Sequence, residues 1–344
     1  MTMRYCQSFD YQTLTQMSRE GVITSNPTIV SGRNGNAFEI QTRQKAWTWD
    51  GDTSAAQQTV FIGAAVLVGS ETFARDIFCL MDAAGIIHVA LQLDSTRHLL
   101  VTRGGNGSGT TIISAGSTVL TANVYYYLEM KAVIDDSPNG SVEVRINGVT
   151  ELNQGTLDTR NAGAAASVNR FRIGGWNDAN LVTCRWDDLY FLDDQGSTNN
   201  TFLGDVRVEA LFPNGNGNTS NLVGSDSNST DNYLLVDEAT SNDDTDYVES
   251  STVGDKDTYA YTNLTPTSGT VYAVRPVLVA RKSDAGARSV CSVARLSGTE
   301  VDSANASLSQ SYQNLSDIRE TKPGGGAWSV SDVNSAEFGM KVTV

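Results

Sequence analysis

The stretch YYYLEMKAVIDDSPNGSVEVRINGV, residues 125 to 149, constrains the fold more than any other part of the chain. Leu128, Met130, Ala132 and Ile134 alternate with Tyr127, Glu129 and Lys131, while Val142, Val144 and Ile146 alternate with Glu143, Arg145 and Asn147. Successive side chains on a strand point to opposite faces, so each run carries one apolar and one polar face. Between them, Pro138 restricts φ, and Asn139 followed by Gly140 accepts the positive φ that tight reversals need. The expectation is an antiparallel hairpin half in water. Glu129 and Lys131 then face Arg145 and Glu143 on the wet side, where exposed cross-strand pairs contribute about 0.2–1 kcal/mol each.

The same period of two recurs upstream and downstream. It marks AFEIQT (37 to 42), TVFIGAAVLV (59 to 68), DIFCLMD (76 to 82), IIHVALQLD (86 to 94), HLLVTRG (98 to 104), NRFRIGGW (169 to 176) and CRWDDLYFLDD (184 to 194). Short, evenly spaced strands with almost no 3.6-residue period predict a two-sheet sandwich. NQGTLDTRNAGAAASVN reads as the connection crossing from one sheet to the other, and RGGNGSGT as a hairpin tip.

Around DQGSTNNTFLGD, residues 194 to 205, polar and small residues take over, which predicts a connection to a second unit. Strand patterns return at DVRVEALF, NYLLVDE, DTYAYTNL, TVYAVRPVLVARKS, RSVCSVARL and EFGMKVTV. PNGNGNTSNLVGSDSNSTDN reads as an exposed, mobile loop, or one that orders only against a neighbour. LSQSYQNLSDIR fits a helical turn or an extended run, and SVSDVNSAEF a short helix with Ser329 or Ser331 as N-cap. The fold class expected is all-β: a sandwich over residues 1–195 and a smaller β-rich domain over 196–344.

The net charge of −15 is spread over both halves, and no basic stripe offsets phosphate repulsion, so nucleic acid is not an expected partner. A membrane is not expected either, because no run of about 18 apolar residues occurs and the first residues lack a secretory pattern. Cys6, Cys79, Cys184 and Cys291 have no metal-ligand spacing, which predicts free buried thiols. Cys6, near a terminus, is the candidate for an intersubunit disulfide.

Several of these stretches also resemble known proteins. The 125–149 hairpin followed by NRFRIGGW and RWDDLYFLDD is similar to the late half of the concanavalin A-like, laminin G-like jelly roll, and Asn147-Gly148 holds the place of that fold's strand-ending Asn-Gly or Asp-Gly pair. DDLYFLDDQGSTNNTFLGDVRVEALFPNG, DNYLLVDEATSNDDTDYVESSTVGDKDTY and GGGAWSVSDVNSAEFGMKV resemble virion structural proteins of tailed bacteriophages. There the jelly roll precedes a β-rich unit closing with Ala-Trp-x-x-x-Asp-Val-Asn-x-x-Glu-x-Gly, here Ala327 to Gly339. The resemblance implies a non-enzymatic capsid decoration, neck, collar or tail fibre component, made in the host cytoplasm and located in the virion. It would contact other virion proteins, assemble as a homotrimer and need no cofactor. The alternative is a carbohydrate-binding module that attaches to a host glycan.

The chemistry of individual residues is sparse. Retaining glycosidases need two carboxyl groups about 5–5.5 Å apart. The nearest strand pattern, Glu300-Val301-Asp302, has Asn305 where a further Glu is needed. Asp187 and Asp188 are adjacent and on a regular strand face opposite sides. His88 and His98 lie in strand-like runs and read as structural. Asp243, Asp244 and Asp246 bunch hard oxygen ligands suited to a structural Ca²⁺, without EF-hand spacing. Trp47 and Trp49 on one strand face, and Trp176 where a strand enters a loop, are the candidates for a sugar-binding platform; core or rim packing is the plainer reading.

Overall fold

The computed structural model describes residues 3–51, 57–105, 110–161, 165–176 and 178–344. The RGGNGSGT tip falls partly outside the described residues. The chain forms two compact units, Met1–Val208 and Glu209–Val344.

The first unit opens with β1 (Met3–Gln7), a short helix α1 (Leu14–Met17), β2 (Gly21–Thr24), β3 (Thr28–Ser31), β4 (Asn36–Thr42) and β5 (Ala46–Trp49). It continues with β6 (Thr59–Val68), β7 (Arg75–Met81), β8 (Ile87–Leu93), β9 (His98–Arg103) and β10 (Thr111–Val119). The last strands are β11 (Tyr125–Val133), β12 (Gly140–Ile146), β13 (Val149–Leu157), β14 (Arg170–Gly174) and β15 (Leu181–Asp193). Among the described residues they make an eight-stranded sheet, β13-β12-β11-β6-β15-β4-β3 with β1 also on β15, and a seven-stranded sheet, β10-β9-β8-β7-β14-β5-β2. The inward alternate residues form one core that includes Phe38, Trp47, Ile62, Phe78, Leu91, Met130, Phe171 and Trp186. The unit is the all-β sandwich that the alternation predicts, and the first residues of the NQGTLDTRNAGAAASVN stretch, expected as connection, belong instead to β13.

In the 125–149 hairpin Glu129 lies opposite Arg145 and Lys131 opposite Glu143, in the expected register. Two details differ. The reversal contains a cis Ser137–Pro138 bond, and neither Asn139 nor Gly140 has positive φ. The left-handed Asn-Gly pair is Asn147 (φ 50°) and Gly148 (φ 78°), which turns β12 into β13. Nor is the polar face wet at Glu129, which is fully buried. Its Oε1 accepts from the Tyr190 hydroxyl (2.5 Å) and from Gly204 N–H (2.8 Å).

Residues 196–208 account for that burial. Phe202 meets Phe61 edge-on with centroids 5.3 Å apart, and the Arg145 guanidinium lies 4.1 Å from the Phe202 ring centre. This segment therefore belongs to the first unit, and the division falls at Val208 rather than at residue 195. Polar composition concealed the one aromatic that docks.

The adjacent aspartates also depart from the strand expectation. The β15 register shifts between Asp187 and Tyr190, and Asp188 is left-handed (φ 51°), so this is a bulge. Both buried carboxylates converge on the turn between β3 and β4. Asp187 Oδ2 accepts from Arg33 N–H (2.8 Å) and Asn34 N–H (3.0 Å), while Asp188 Oδ2 receives Arg33 Nη2 (2.6 Å) and Asn34 Nδ2 (3.1 Å). Burial and then the neighbouring Asp188 charge push the Asp187 carboxyl up to about 7.

The second unit contains β16 (Pro213–Ser220), β17 (Val223–Gly224), a 3₁₀ turn (Asn232–Leu235), β18 (Val248–Glu249), β19 (Lys256–Tyr261) and β20 (Val277–Ala280). β21 (Ser289–Leu296), β22 (Thr299–Asp302), β23 (Ala306–Ser307), β24 (Gln313–Ser316), α2 (Val330–Ser335) and β25 (Glu337–Val342) follow. The main sheet runs β16-β19-β25-β21-β22, with β23 on β21. Its PNGNGNTS strand corrects the loop expectation. Small side chains let the strand lie close to β19, since a Cβ at Gly217 would come 2.5 Å from the Thr258 carbonyl oxygen. NYLLVDE becomes the 3₁₀ turn, DVRVEALF joins no sheet, and QNLS is extended.

Most residues of the closing motif have an architectural task. Trp328 is buried and donates its indole N–H to the Arg319 carbonyl (3.0 Å). Ser329 and Asp332 form the capping box of α2. Asn334 Oδ1 accepts from Leu264 N–H (2.9 Å), and Glu337 binds Arg295 (2.7 Å) and the Thr258 hydroxyl (2.8 Å). A Cβ at Gly339 would collide with the Asp257 carbonyl oxygen at 1.9 Å.

Candidate functional site

The outer face of the seven-stranded sheet carries an unusual density of buried polar groups. On β14, Phe171 and Ile173 point into the core, which turns Arg172 outward. Arg172 Nη2 donates to Asp76 Oδ2 (2.9 Å), and Gln92 Nε2 donates to Asp76 Oδ1 (2.8 Å). The Cys79 thiol lies 3.3 Å from both Asp76 Oδ2 and Arg172 Nη2. Burial alone would lower the Arg172 guanidinium, but the facing Cys79 and Asp76 raise it, so it stays charged. Burial pushes the Cys79 thiol far up, which leaves it inert as a nucleophile.

At one rim of this face β14 ends in two left-handed glycines, Gly174 (φ 70°) and Gly175 (φ 93°). A Cβ at Gly175 would come within 2.8 Å of Arg172 Nε, so glycine is needed both for φ and for space. The turn delivers Trp176, half-buried, onto the Arg43 guanidinium, whose carbon lies 4.4 Å from the ring centre. The same guanidinium is 5.9 Å from the ring of Phe73, which is 41% exposed. Arg43 Nη1 pairs with Asp178 Oδ2 at 3.0 Å. Beneath them the buried Arg75 donates to the carbonyls of Glu71 (2.8 Å) and Thr183 (2.9 Å) and so ties down the loop that presents Phe73. An aromatic face, a second exposed ring and a carboxylate–guanidinium pair can stack on a flat apolar surface and exchange hydrogen bonds with hydroxyl groups.

Of the sequence candidates only Trp176 lies here. Trp47 is fully buried in the core, and Trp49 stacks on Phe171 (5.4 Å) beside Tyr5 (5.1 Å), so their shared strand face is the inward one. Neither is a sugar platform. Asp244 is taken by Arg281 (2.7 Å) and the Tyr312 hydroxyl (2.8 Å), Asp246 accepts from Asn242 (2.8 Å), and Asp243 from Ser241 (2.9 Å). Among the described residues no group of three His, Cys, Asp or Glu side chains is placed to hold a metal ion. Cys6 in β1 is a half-buried thiol outside any disulfide, and the other three cysteines are buried. His88 Nδ1 accepts from Asn161 N–H (3.2 Å), a bond across the chain, and His98 contacts Thr96 (2.8 Å), a local one. Glu300 pairs with Lys256, and Asp302 with Lys341 (2.8 Å).

Sequence reading missed Arg43, Phe73, Asp76, Gln92 and Arg172. Arg172 in FRI and Gln92 in LQL had a signal, as polar positions between inward apolar ones; Arg43 and Phe73 come from loops without a pattern.

No protein family matches the chain, and no curated protein sequence matches it. Among solved structures it is similar to the fourth domain of an extracellular arabinanase of Geobacillus stearothermophilus in complex with arabinotriose. That likeness has 16% identity over 56% of this chain and 92% of that one, TM-score 0.40. An endo-β-1,4-glucuronan lyase of Trichoderma reesei aligns with 12% identity over 55% of this chain and 90% of that one, TM-score 0.38. A carbohydrate-binding module of Bacillus subtilis aligns with 11% identity over 49% and 94%, TM-score 0.32. All three likenesses are distant.

Proposed function

We propose that the first unit is a non-catalytic carbohydrate-binding module whose contact surface is Trp176, Phe73 and the Arg43–Asp178 pair. The observation that carries this reading is the half-buried indole backed at 4.4 Å by a guanidinium that is itself fixed by a carboxylate. Such backing holds the ring in one orientation before a ligand arrives, which reduces the ordering cost of binding. Binding without turnover fits the bonding of Asp76 on the sheet, which is engaged by Arg172 and Gln92.

The test is a glycan array with the folded chain, followed by titration calorimetry on the hits. Trp176→Ala is expected to weaken binding about tenfold or more, equivalent to about 1.4 kcal/mol, without changing thermal unfolding. A folded wild-type chain that retains no glycan overturns the reading.

A second reading, a structural component of a tailed-phage virion, draws on the closing motif of the second unit, in which Trp328, Asp332, Asn334, Glu337 and Gly339 serve packing, capping or hydrogen bonding. A rigid body of that kind suits contacts with neighbouring virion proteins, and the two readings agree if the module is displayed on a particle. Peptide mass spectrometry of purified virions tests it: absence of the chain from particles ends it.

A further inference from the structure

Resting on the carbohydrate reading of the Trp176 rim, we infer that the site selects neutral, hydroxyl-rich sugars against uronates and other anionic sugars, and that Asp178 sets this preference. Three guanidinium groups surround the rim, and each faces its own carboxylate: Arg43 with Asp178 (3.0 Å), Arg75 with Glu71 (3.5 Å) and Arg172 with Asp76 (2.9 Å). Farther along β14, Arg170 faces Asp50 (3.8 Å). Positive charge is therefore matched pair by pair.

The two signs are not equally accessible. The side chain of Arg43 is 8% exposed, Arg172 15% and Arg75 1%, whereas Asp178 is 43% exposed. A ligand resting on Trp176 and Phe73 meets the Asp178 carboxylate, while the guanidinium groups lie behind it. A carboxylate accepts hydrogen bonds and cannot donate them, so sugar hydroxyls donating to Asp178 are favoured. A uronate brought to the same place sets like charges side by side in a chain of net charge −15.

The experiment uses the full chain and an array that carries neutral glycans, uronate-containing glycans and sialylated glycans, read at low and high salt. Wild type is expected to retain neutral glycans at least about tenfold better than acidic ones of matched size, with the ratio narrowing as salt screens the charge. Asp178→Asn keeps the side-chain shape, removes the charge and leaves Arg43 without its counter-ion. It is expected to lower neutral-sugar affinity and raise acidic-sugar affinity, shrinking the ratio several-fold. Trp176→Ala is expected to weaken both classes together. Wild type that prefers acidic glycans, or an unchanged ratio in Asp178→Asn, overturns this inference while leaving the carbohydrate reading intact. No binding to any glycan removes both.

Discussion

The two units reach order by different means. The first buries one contiguous apolar core between two sheets, from Tyr5 and Phe9 near the start to Phe191 at the end of β15. The second has a compact cluster of Ala294, Leu296, Trp328, Val333, Ala336 and Phe338, and organises its loops around buried polar groups. Asp257 illustrates the device: fully buried, it accepts from Asn221 N–H (2.7 Å), Leu222 N–H (2.9 Å), Asn232 Nδ2 (2.6 Å) and the Tyr259 hydroxyl (3.0 Å). Small units bury a lower fraction of their surface. Where apolar area is short, one carboxylate with four donors can hold several loops, at the cost of strong sensitivity to its removal.

The contrast breaks most sharply in the core of the first unit. Trp186→Ala, at a fully buried position beside Phe38, is expected to cost about 3–5 kcal/mol. Hydrogen exchange should then show lost protection in β4, β6 and β15 while β19, β21 and β25 keep theirs; equal loss in both units would mean that they unfold as one.

Asp257→Ala strands four donors and is expected to cost the second unit about 3 kcal/mol, read as a lower unfolding midpoint of that unit alone. A drop of only a few tenths would mean that water replaces the carboxylate and that the hub is not what orders these loops.

The first unit has its own buried acid, and it sharpens the comparison through pH. The Asp187 carboxyl stands near 7 in the folded chain, well above its ordinary value of 3.8. Its contribution to stability is complete below the unfolded value and is lost as pH rises through about 7. The wild-type chain should therefore gain up to about 1.4 kcal/mol per pH unit from this group as pH falls between about 7 and 4. Asp187→Asn should flatten that part of the curve, measured by denaturant titration across pH; identical slopes in the two chains would exclude Asp187 as the source.

The smallest effect belongs to the helix cap. Ser329→Ala removes an oxygen from the α2 capping box and is expected to cost about 1 kcal/mol, confined to the second unit. Unchanged exchange in residues 330–335 would mean that Val330 and Val333 hold the helix by packing alone.

Much of the first unit was legible because alternation is a local property: a run of side chains at period two states which face is apolar before any partner strand is known. The strands of the 125–149 hairpin, the register of Glu129 with Arg145, the long β15 and a short helix capped at Ser329 or Ser331, of which the structure uses Ser329, all follow from residues close together in the chain. What the sequence determined by itself is thus the all-β class, the alternating strand segments at the centre of the first unit, and the acidic balance that argues against nucleic acid.

Tertiary structure decided everything that depends on a partner distant in sequence. Trp47 and Trp49 share a face in either reading, and only the opposing Phe171 and Tyr5 make it the inward one. Asp187 and Asp188 converge because a left-handed residue in a bulge reverses the local alternation. PNGNGNTS pairs as a strand because β19 needs a close neighbour, and residues 196–208 join the first unit because Phe202 meets Phe61 and Arg145. The Trp176 rim draws Trp176 and Asp178 from the connection after β14, and Arg43 and Phe73 from two others. Local pattern carries no information about which turns meet, since that is set by the crossing of strands between sheets, and there the site is made.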